Sequence, residues 1–508
     1  MAGLALGSYL GGRLIDKGGN PLATYAILEG AIGIYCLLVP FMIDWASPLF
    51  KWVYQTQTES YTQASLYRFW ICGAILLVPT TFMGATLPVL SKYVSRDSAF
   101  IGRDVGTLYS LNTFGAVFGA LSSAFLLMRL WGIQATIWFA AAFNVGIAVV
   151  IFLLFRPYLG REKPLESAPE TEEPEPVWAK GSIILILLAF CFSGLCALTY
   201  QVAWNRILSL LLGSSIYAFS LILTTFILGL ALGTVLFSRW VNRFKDPLKV
   251  FGLLQAGIGI SALAALPLFG EIPFINRWVY QNWSLEFVSI QWSIFLVIFS
   301  LLFVPTFLMG GQFPVVIRLV ARNLETLGHS IGKVYAANTV GTIIGSFLAG
   351  FVLIPWLGIQ NTILFAVAFN ILVGTGLLLM SPGLSFNLKM YALPAVLVLC
   401  VLGAQTIEPW NKSVISSGSY MPYRIDDLVE AEEKKNKILF YREGVHTTVT
   451  TELAVSGNIF LRVNGKTDAS LAMDMRTQLL SGYLPMLLHG QPKSALVIGQ
   501  GSGITLGA

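Results

Sequence analysis

The sequence predicts a mostly α-helical, polytopic membrane protein of two like repeats, followed by a small β-hairpin region and the opening strand of an α/β domain. Three observations carry this. Of the 508 residues 56% are hydrophobic and only 11% charged, whereas a soluble chain carries about 25% charged residues. Long apolar runs recur at a constant spacing through the first 380 residues. From Glu408 the composition turns charged and β-branched.

Apolar runs near 1–15, 22–43, 69–91, 106–129 and 133–155 form a first membrane repeat, residues 1–156. A span needs about 20 apolar residues. Residues 157–180 are rich in Pro and Glu and read as a disordered linker. Runs near 182–202, 214–238, 249–270, 290–310, 332–355 and 359–381 form a second repeat, residues 181–382. A further apolar segment occupies 383–407, and residues 408–508 form the tail.

The repeats align without a gap at an offset of 226. GLALGSYLGGRLIDKGGNPL from Gly3 meets GLALGTVLFSRWVNRFKDPL from Gly229. Pro79 meets Pro305, Gly84 meets Gly310, and Asn112, Gly115 and Gly119 meet Asn338, Gly341 and Gly345. Such register over roughly 140 residues marks an internal duplication. The first repeat lacks a counterpart of the run at 182–202, and Met1 aligns with Ile227 inside a helix. The expectation is that the chain is incomplete at its start.

Charge gives the orientation. Arg13, Lys17, Arg239, Arg243, Lys245 and Lys249 fall after the first run of one repeat and the second of the other. Lys92, Arg96, Arg103, Arg318, Arg322 and Lys333 fall two runs later, and the linker is also basic at its ends. Alternate loops hold few basic residues, so the rich loops face the cytoplasm and the repeats run parallel. The net charge of +6 is therefore topological, and nothing in its distribution suggests nucleic acid. A multi-pass protein of the cell (inner) membrane follows, with the lipid bilayer as its first partner; the sequence does not give an oligomeric state.

No metal site is expected. Cys36, Cys72, Cys191, Cys196 and Cys400 lie in apolar segments and read as buried small side chains, while His329, His446 and His489 are dispersed. Ionisable groups at mid-membrane are functional candidates, and Glu29 is the foremost. Its repeat partner is Gln255, and Asn112 with Asn338 form a matched polar pair. GGRLIDKGGNP resembles the loop between helices two and three of the major facilitator superfamily. The resemblance implies that Arg13 and Asp16 pair across the basic face.

In the tail, HTTVTTELAV and NIFLRVNGK read as a hairpin with Ser-Gly-Asn and Asn-Gly turns. DMRTQLLSGYLPMLLHG has helical periodicity, and Ala495–Ile498 reads as a buried parallel strand entering a glycine turn. With YREG, RVNGKTDAS and LVIGQGSGITLGA in this order, the chain resembles the membrane-fused spermidine synthase-like proteins, in which a facilitator-like region precedes a synthase-like domain. The resemblance implies a truncated Rossmann-like domain and decarboxylated S-adenosylmethionine or a related adenosyl cosubstrate, without a metal. It implies a cofactor loop of Gly499, Gly501, Ser502 and Gly503, with Asp468, Asp474 and Gln478 near a polyamine or other amine. The acid that binds the ribose and the catalytic Asp are expected beyond Ala508, so the catalytic residues are unknown and the 508-residue chain is expected to be inactive in aminopropyl transfer. The Tyr-His-Glu cluster of soluble spermidine synthases is replaced by Gln478, Leu479 and Leu480, which leaves methyl transfer open.

Two other readings stand beside the enzyme: a transporter of a small solute such as a polyamine, with a regulatory tail, and a catalytically silent fusion. A nucleoside-binding loop has little to bind outside the cell. The tail is therefore expected on the cytoplasmic side, with 383–407 re-entrant or lying at the interface.

Overall fold

A computed structural model describes residues 1–56, 60–155, 180–283, 286–321, 323–421 and 436–508. The linker, Lys180 apart, lies outside the described residues, as does Arg322. The first half holds α1 (Ala2–Asp16), α2 (Pro21–Thr56), α3 (Tyr61–Val94), α4 (Ile101–Ser122), a π turn (Ser123–Leu127) and α5 (Met128–Leu154). The second half holds α6 (Lys180–Leu212), α7 (Ile216–Trp240), α8 (Pro247–Ala265), α9 (Leu268–Asn282), α10 (Phe287–Val320), α11 (Leu327–Leu348), a π turn (Ala349–Leu353), the short α12 (Ile354–Leu357) and α13 (Ile359–Met380). Then come α14 (Leu393–Thr406), a single-turn α15 (Lys412–Ile415), strands β1 (Lys437–Glu443), β2 (Thr448–Leu453), β3 (Ile459–Val463) and β4 (Lys466–Ser470), α16 (Met473–His489) and α17 (Ile504–Gly507). Ten stretches of the described residues are long and apolar enough to cross a membrane.

Element bounds recur 226 residues on. α3 maps onto α10, α4 onto α11, and one π turn onto the other. Gly132 and Gly358, with φ of 77° and 83°, turn the chain at matching places. Contacts recur too. A Cβ at Gly3 would overlap Thr80, and one at Gly229 would overlap Thr306. A Cβ at Gly84 would strike the Leu4 carbonyl, and one at Gly310 that of Leu230. Glycine here lets backbones close to contact, the means of helix association that lipid leaves available. Between the halves, α1 packs on α11 and α4 on α7.

The equivalence has departures. One continuous helix, α2, corresponds to both α8 and α9, because the chain breaks at Leu266–Pro267. The run expected at 249–270 thus ends early, and α9 is an amphipathic helix at the bundle end. Its Trp278 is exposed and its Phe269 and Ile272 are buried. Cys72 is exposed on α3 rather than buried, because α3 turns that face out of the bundle.

Two ends of the bundle can be told apart by contact. At one end the basic loops of both halves meet: Lys92 binds Asp16 and the carbonyls of Leu324 and Glu325, and Arg318 donates to the carbonyls of Val241 and Phe244. Asp246 there accepts from Ser381 Oγ at 2.5 Å and from Gly383 N at 2.9 Å, fixing the end of α13. At the far end Gln360, on the first turn of α13, binds the Glu408 carbonyl and Trp410 N, and Trp410 Nε1 donates to the Leu266 carbonyl. The chain between Gly383 and Glu408 therefore runs the whole way back beside α13. The expected re-entrant or interfacial course of 383–407 is corrected: α14 traverses the bundle from end to end, because both its flanks are tied to opposite ends of α13.

The tail differs from its sequence reading in two further ways. The expected hairpin is the centre of a four-stranded antiparallel meander in the order β1-β2-β3-β4. The expected parallel strand at Ala495–Ile498 does not form, and Leu496 and Ile498 are 86% and 93% exposed. A parallel strand needs a neighbour running the same way, and none lies beside it among the described residues.

Candidate functional site

The meander sits on the far end of the bundle, and its burial pattern is inverted. On β2 the polar residues Thr448, Thr450 and Glu452 point inward. Glu452 is fully buried, as is the Arg462 side chain at 2% exposure. They lie diagonally across β2 and β3, since Glu452 pairs with Phe460 two residues before Arg462. Arg462 Nη1 is 3.3 Å from Glu452 Oε1, Ser413 Oγ donates to Oε2 at 2.7 Å, and Arg462 reaches the Ser416 carbonyl. This charge pair is compensated by hydrogen bonds on both partners, the condition under which a buried pair persists.

The sheet is fastened to helix ends. Glu443 Oε2 accepts from Ile359 N at 2.5 Å, at the start of α13, where a carboxylate meets unpaired N–H groups and the helix dipole. Arg206 on α6 donates to the carbonyls of Gly444, at 2.6 Å, and His446. Asn276 on α9 joins the Leu211 carbonyl to Ser419, and the Tyr280 hydroxyl binds the Tyr420 carbonyl. Burial pushes the Tyr280 hydroxyl up to about 12. Burial and the neighbouring Glu443 carboxylate also raise Tyr441, whose hydroxyl donates to Glu443 Oε1 at 2.5 Å.

Beyond β4, α16 meets the glycine loop. Ser502 Oγ donates to Gln478 Oε1 at 2.5 Å, Thr505 Oγ1 donates to the Gln478 carbonyl, and Gln478 Nε2 reaches the Asp468 carbonyl at 3.5 Å. Asp474 lies one turn before Gln478 on α16, its N–H bonded to Ser470 Oγ. Asp468 itself pairs with Lys466 at 3.6 Å. Gly499, Gly501 and Gly503 take φ of 94°, 54° and 82°, a region costly for other residues. A Cβ at any of them would meet open space. The loop thus offers bare backbone, while the strand that ordinarily carries such a loop is not formed. Of the expected site residues, Gln478 meets the loop directly, Asp468 meets Gln478 only through its backbone carbonyl, and Asp474 lies one turn away on α16. No group of His, Cys, Asp and Glu suited to a metal occurs among the described residues.

The membrane candidates are scattered. Asp16 accepts from Lys92 Nζ at 2.8 Å, Gly328 N at 3.1 Å and His329 N at 2.7 Å. It therefore caps α11 from the opposite half and forms its ion pair with Lys92, whereas the expected Arg13 is exposed at the end of α1. Glu29 shares a hydrogen bond with Tyr25, one turn away. Asn338 donates to the Phe190 carbonyl and so joins α11 to α6, but Asn112 is exposed. The residues that dock the tail, Arg206, Glu443, Asn276 and Tyr280, and the buried pair inside it, Glu452 and Arg462, were not among the sequence candidates. An inward Glu on T-x-T-x-E and an Arg diagonal to it were the available signal.

The fold is that of a multi-pass membrane protein carrying a small extramembrane sheet. No family model matches the chain. It is 27% identical over 216 residues to polyamine aminopropyltransferase 2 of Streptomyces coelicolor, covering 42% of this chain and 36% of that one. It is 23% identical over 321 residues to the polyamine aminopropyltransferase of Leptospira interrogans, covering 61% and 56%. Against polyamine aminopropyltransferase 1 of Ralstonia nicotianae it is 29% identical over 195 residues, covering 37% and 33%. The chain is thus related at low identity to polyamine aminopropyltransferases and spans between a third and just over half of their length. Among solved structures, the human organic anion transporter MFSD10 aligns at 14% identity with a TM-score of 0.35, covering 74% of this chain and 83% of that one.

Proposed function

We propose that this chain is the membrane-anchored part of a polyamine aminopropyltransferase-like protein. Its helical bundle holds the beginning of a Rossmann-like, adenosyl-binding domain at one end. The ligand is decarboxylated S-adenosylmethionine or a related adenosyl compound, and the acceptor is a polyamine or another amine. Gly499, Gly501 and Gly503 would admit the adenosyl group to bare backbone, with Ser502 held by Gln478. Asp468 and Asp474 supply carboxylates near an amine. The observation that carries the reading is the Ser502–Gln478 hydrogen bond, which ties the glycine loop to the helix before it. Relatedness to aminopropyltransferases points the same way.

The bundle in this reading is a parallel duplication of about six spans, with 1–156 and 181–382 as its halves. The test is equilibrium binding of labelled 5′-methylthioadenosine, the thioether left by aminopropyl transfer, to the purified protein. Saturable binding that Gly501→Val abolishes is expected; binding unaffected by that change, or absent, overturns the assignment.

A second reading, a transporter of a small solute with a regulatory tail, is favoured by the Asp16 contact, which links the halves across their basic end. Uptake of a labelled diamine into proteoliposomes, abolished by Asp16→Ala, would establish it.

A further inference from the structure

The position of the tail has a consequence for where its ligand must be. The loops that carry Lys92, Arg96, Arg103, Arg239, Arg243 and Lys245 gather at one end of the bundle, and Asp246 fixes Ser381 and Gly383 there. A bundle with basic residues so concentrated inserts with that end in the cytoplasm. The chain then returns along a 19-residue stretch from Leu388 to Thr406, which a turn at Leu388–Ala392 opens and α14 completes. Its rise of about 28 Å comes close to a hydrocarbon core of about 30 Å, and its length lies within the roughly 17–25 residues that a crossing takes. Everything after it is bolted to the far end. Glu443 holds the start of α13, Arg206 grips the turn after β1, and Asn276 and Tyr280 hold Ser419 and Tyr420. These contacts join three separate elements of the bundle, α13, α6 and α9, to the tail, so the sheet is not a pendant able to swing around to the basic end.

We propose that the synthase-like unit is an extracytoplasmic domain, carried across by α14, and that the glycine loop takes its small-molecule ligand from that side. The side of the domain is independent of the aminopropyltransferase reading; the class of ligand rests on it. If the ligand is an adenosyl-sulfonium donor, which is made in the cytoplasm, a step of transmembrane delivery must precede any transfer. The acceptor would then be an amine present outside.

The test is cysteine accessibility in intact cells. Ser416 is fully buried beneath the sheet, so the probe belongs on the exposed turn between β2 and β3, as Ser456→Cys, with Val455→Cys as a second variant. The background has the five native cysteines replaced. Ser98→Cys, exposed between α3 and α4 at the basic end, is the opposite marker. A membrane-impermeant maleimide is expected to label the β2–β3 turn in intact cells and Ser98→Cys only after permeabilisation. Labelling of the turn only after permeabilisation overturns the proposal, and so does equal labelling of both positions in intact cells. No ligand enters the experiment, so loss of the adenosyl reading in the binding test leaves this result standing, and the reverse.

Discussion

Asn338, Gly341 and Gly345 lie under α6, while Asn112, Gly115 and Gly119, 226 positions earlier, look out of the bundle. In the second half the helices meet so closely that a Cβ at Gly341 would overlap the Cys191 carbonyl, and one at Gly345 that of Leu195. Asn338 adds a hydrogen bond at 3.1 Å. In the first half a Cβ at Gly115 or Gly119 meets nothing within 4 Å, and the neighbouring Leu111 and Phe118 are 65% and 70% exposed. Matched residues therefore mark a surface suited to close helix contact, and only one of the two copies makes that contact. Sequence identity between the halves reports what each surface can do; the neighbours decide whether it does so.

The largest expected effect tests this contrast directly. Gly341→Leu forces α6 and α11 apart and is expected to destabilise the protein by about 3 kcal/mol or more, above the usual cost of overpacking. Gly115→Leu is expected to change stability by less than about 0.5 kcal/mol, as at a site without packing constraints. Thermal unfolding in detergent distinguishes them. Equal losses would show that the exposed face of α4 is also packed.

A smaller contrast lies at the basic end. Asp16 accepts two backbone N–H groups of α11 and pairs with Lys92, whereas Asn242, its counterpart, has no carboxylate to offer. Asp16→Ala is expected to cost about 2 kcal/mol, within the range for hydrogen bonds to a charged group. Asn242→Ala is expected to cost less than half of that. If chemical denaturation ranks the two the other way, the Asp16 contact does not join the halves in solution.

The smallest effect depends on pH. Asn20 caps α2 through Leu22 N and Ala23 N, while its counterpart Asp246 caps α8 through Lys249 N and also holds Ser381 and Gly383. Burial alone would raise the Asp246 carboxyl, but hydrogen bonds from Ser381, Lys249, Gly383 and Leu248 outweigh it and leave it below the ordinary carboxylate value. A carboxyl lowered in the folded state contributes stability above its unfolded value, and that contribution is lost as pH falls through the folded value. Asp246→Asn is expected to lower stability by about 1 kcal/mol near neutrality, a typical helix-cap effect. The difference from the parent should shrink as pH drops below about 4. Asn20→Asp supplies the control, since the first half has no titrating cap at that position. A difference that persists unchanged at acid pH removes the carboxylate from the account.

How much of this was legible depends on the range of the forces involved. Apolar run length and the 226-residue register gave the helices of both halves, because the need to satisfy every backbone group in lipid leaves little choice but helix. The break at Leu266–Pro267 was hidden, since the run from Lys249 to Gly270 is continuous in composition. In the tail, the turn residues gave β2 and β3, whereas β1 and β4 lacked strong turn signals at their outer ends. The family resemblance set Ser502 on a cofactor loop and Gln478 near an amine, and their mutual hydrogen bond was outside that reading. The docking residues did not, because Arg206 lies in an apolar helix 238 positions from Gly444, its partner, and no local pattern records a contact at that distance. The course of 383–407 was not legible, because the ties that fix its ends join Asp246 to Ser381 and Gln360 to Trp410, 135 and 50 positions apart.

The length of α14 also sets a limit on the bilayer. The 19-residue span that it completes reaches about 28 Å with no slack for tilt, whereas α2 and α3, with 36 and 34 residues, run on well past any hydrocarbon core. In a thicker membrane the long helices need not move, but α14 must either draw its ends inward or thin the lipid around it, at a fraction of a kcal/mol per Å. The outward end it would draw on carries Trp410 and, through it, the seat of the sheet. Hydrophobic mismatch at this helix therefore acts on the fit between the tail and the bundle.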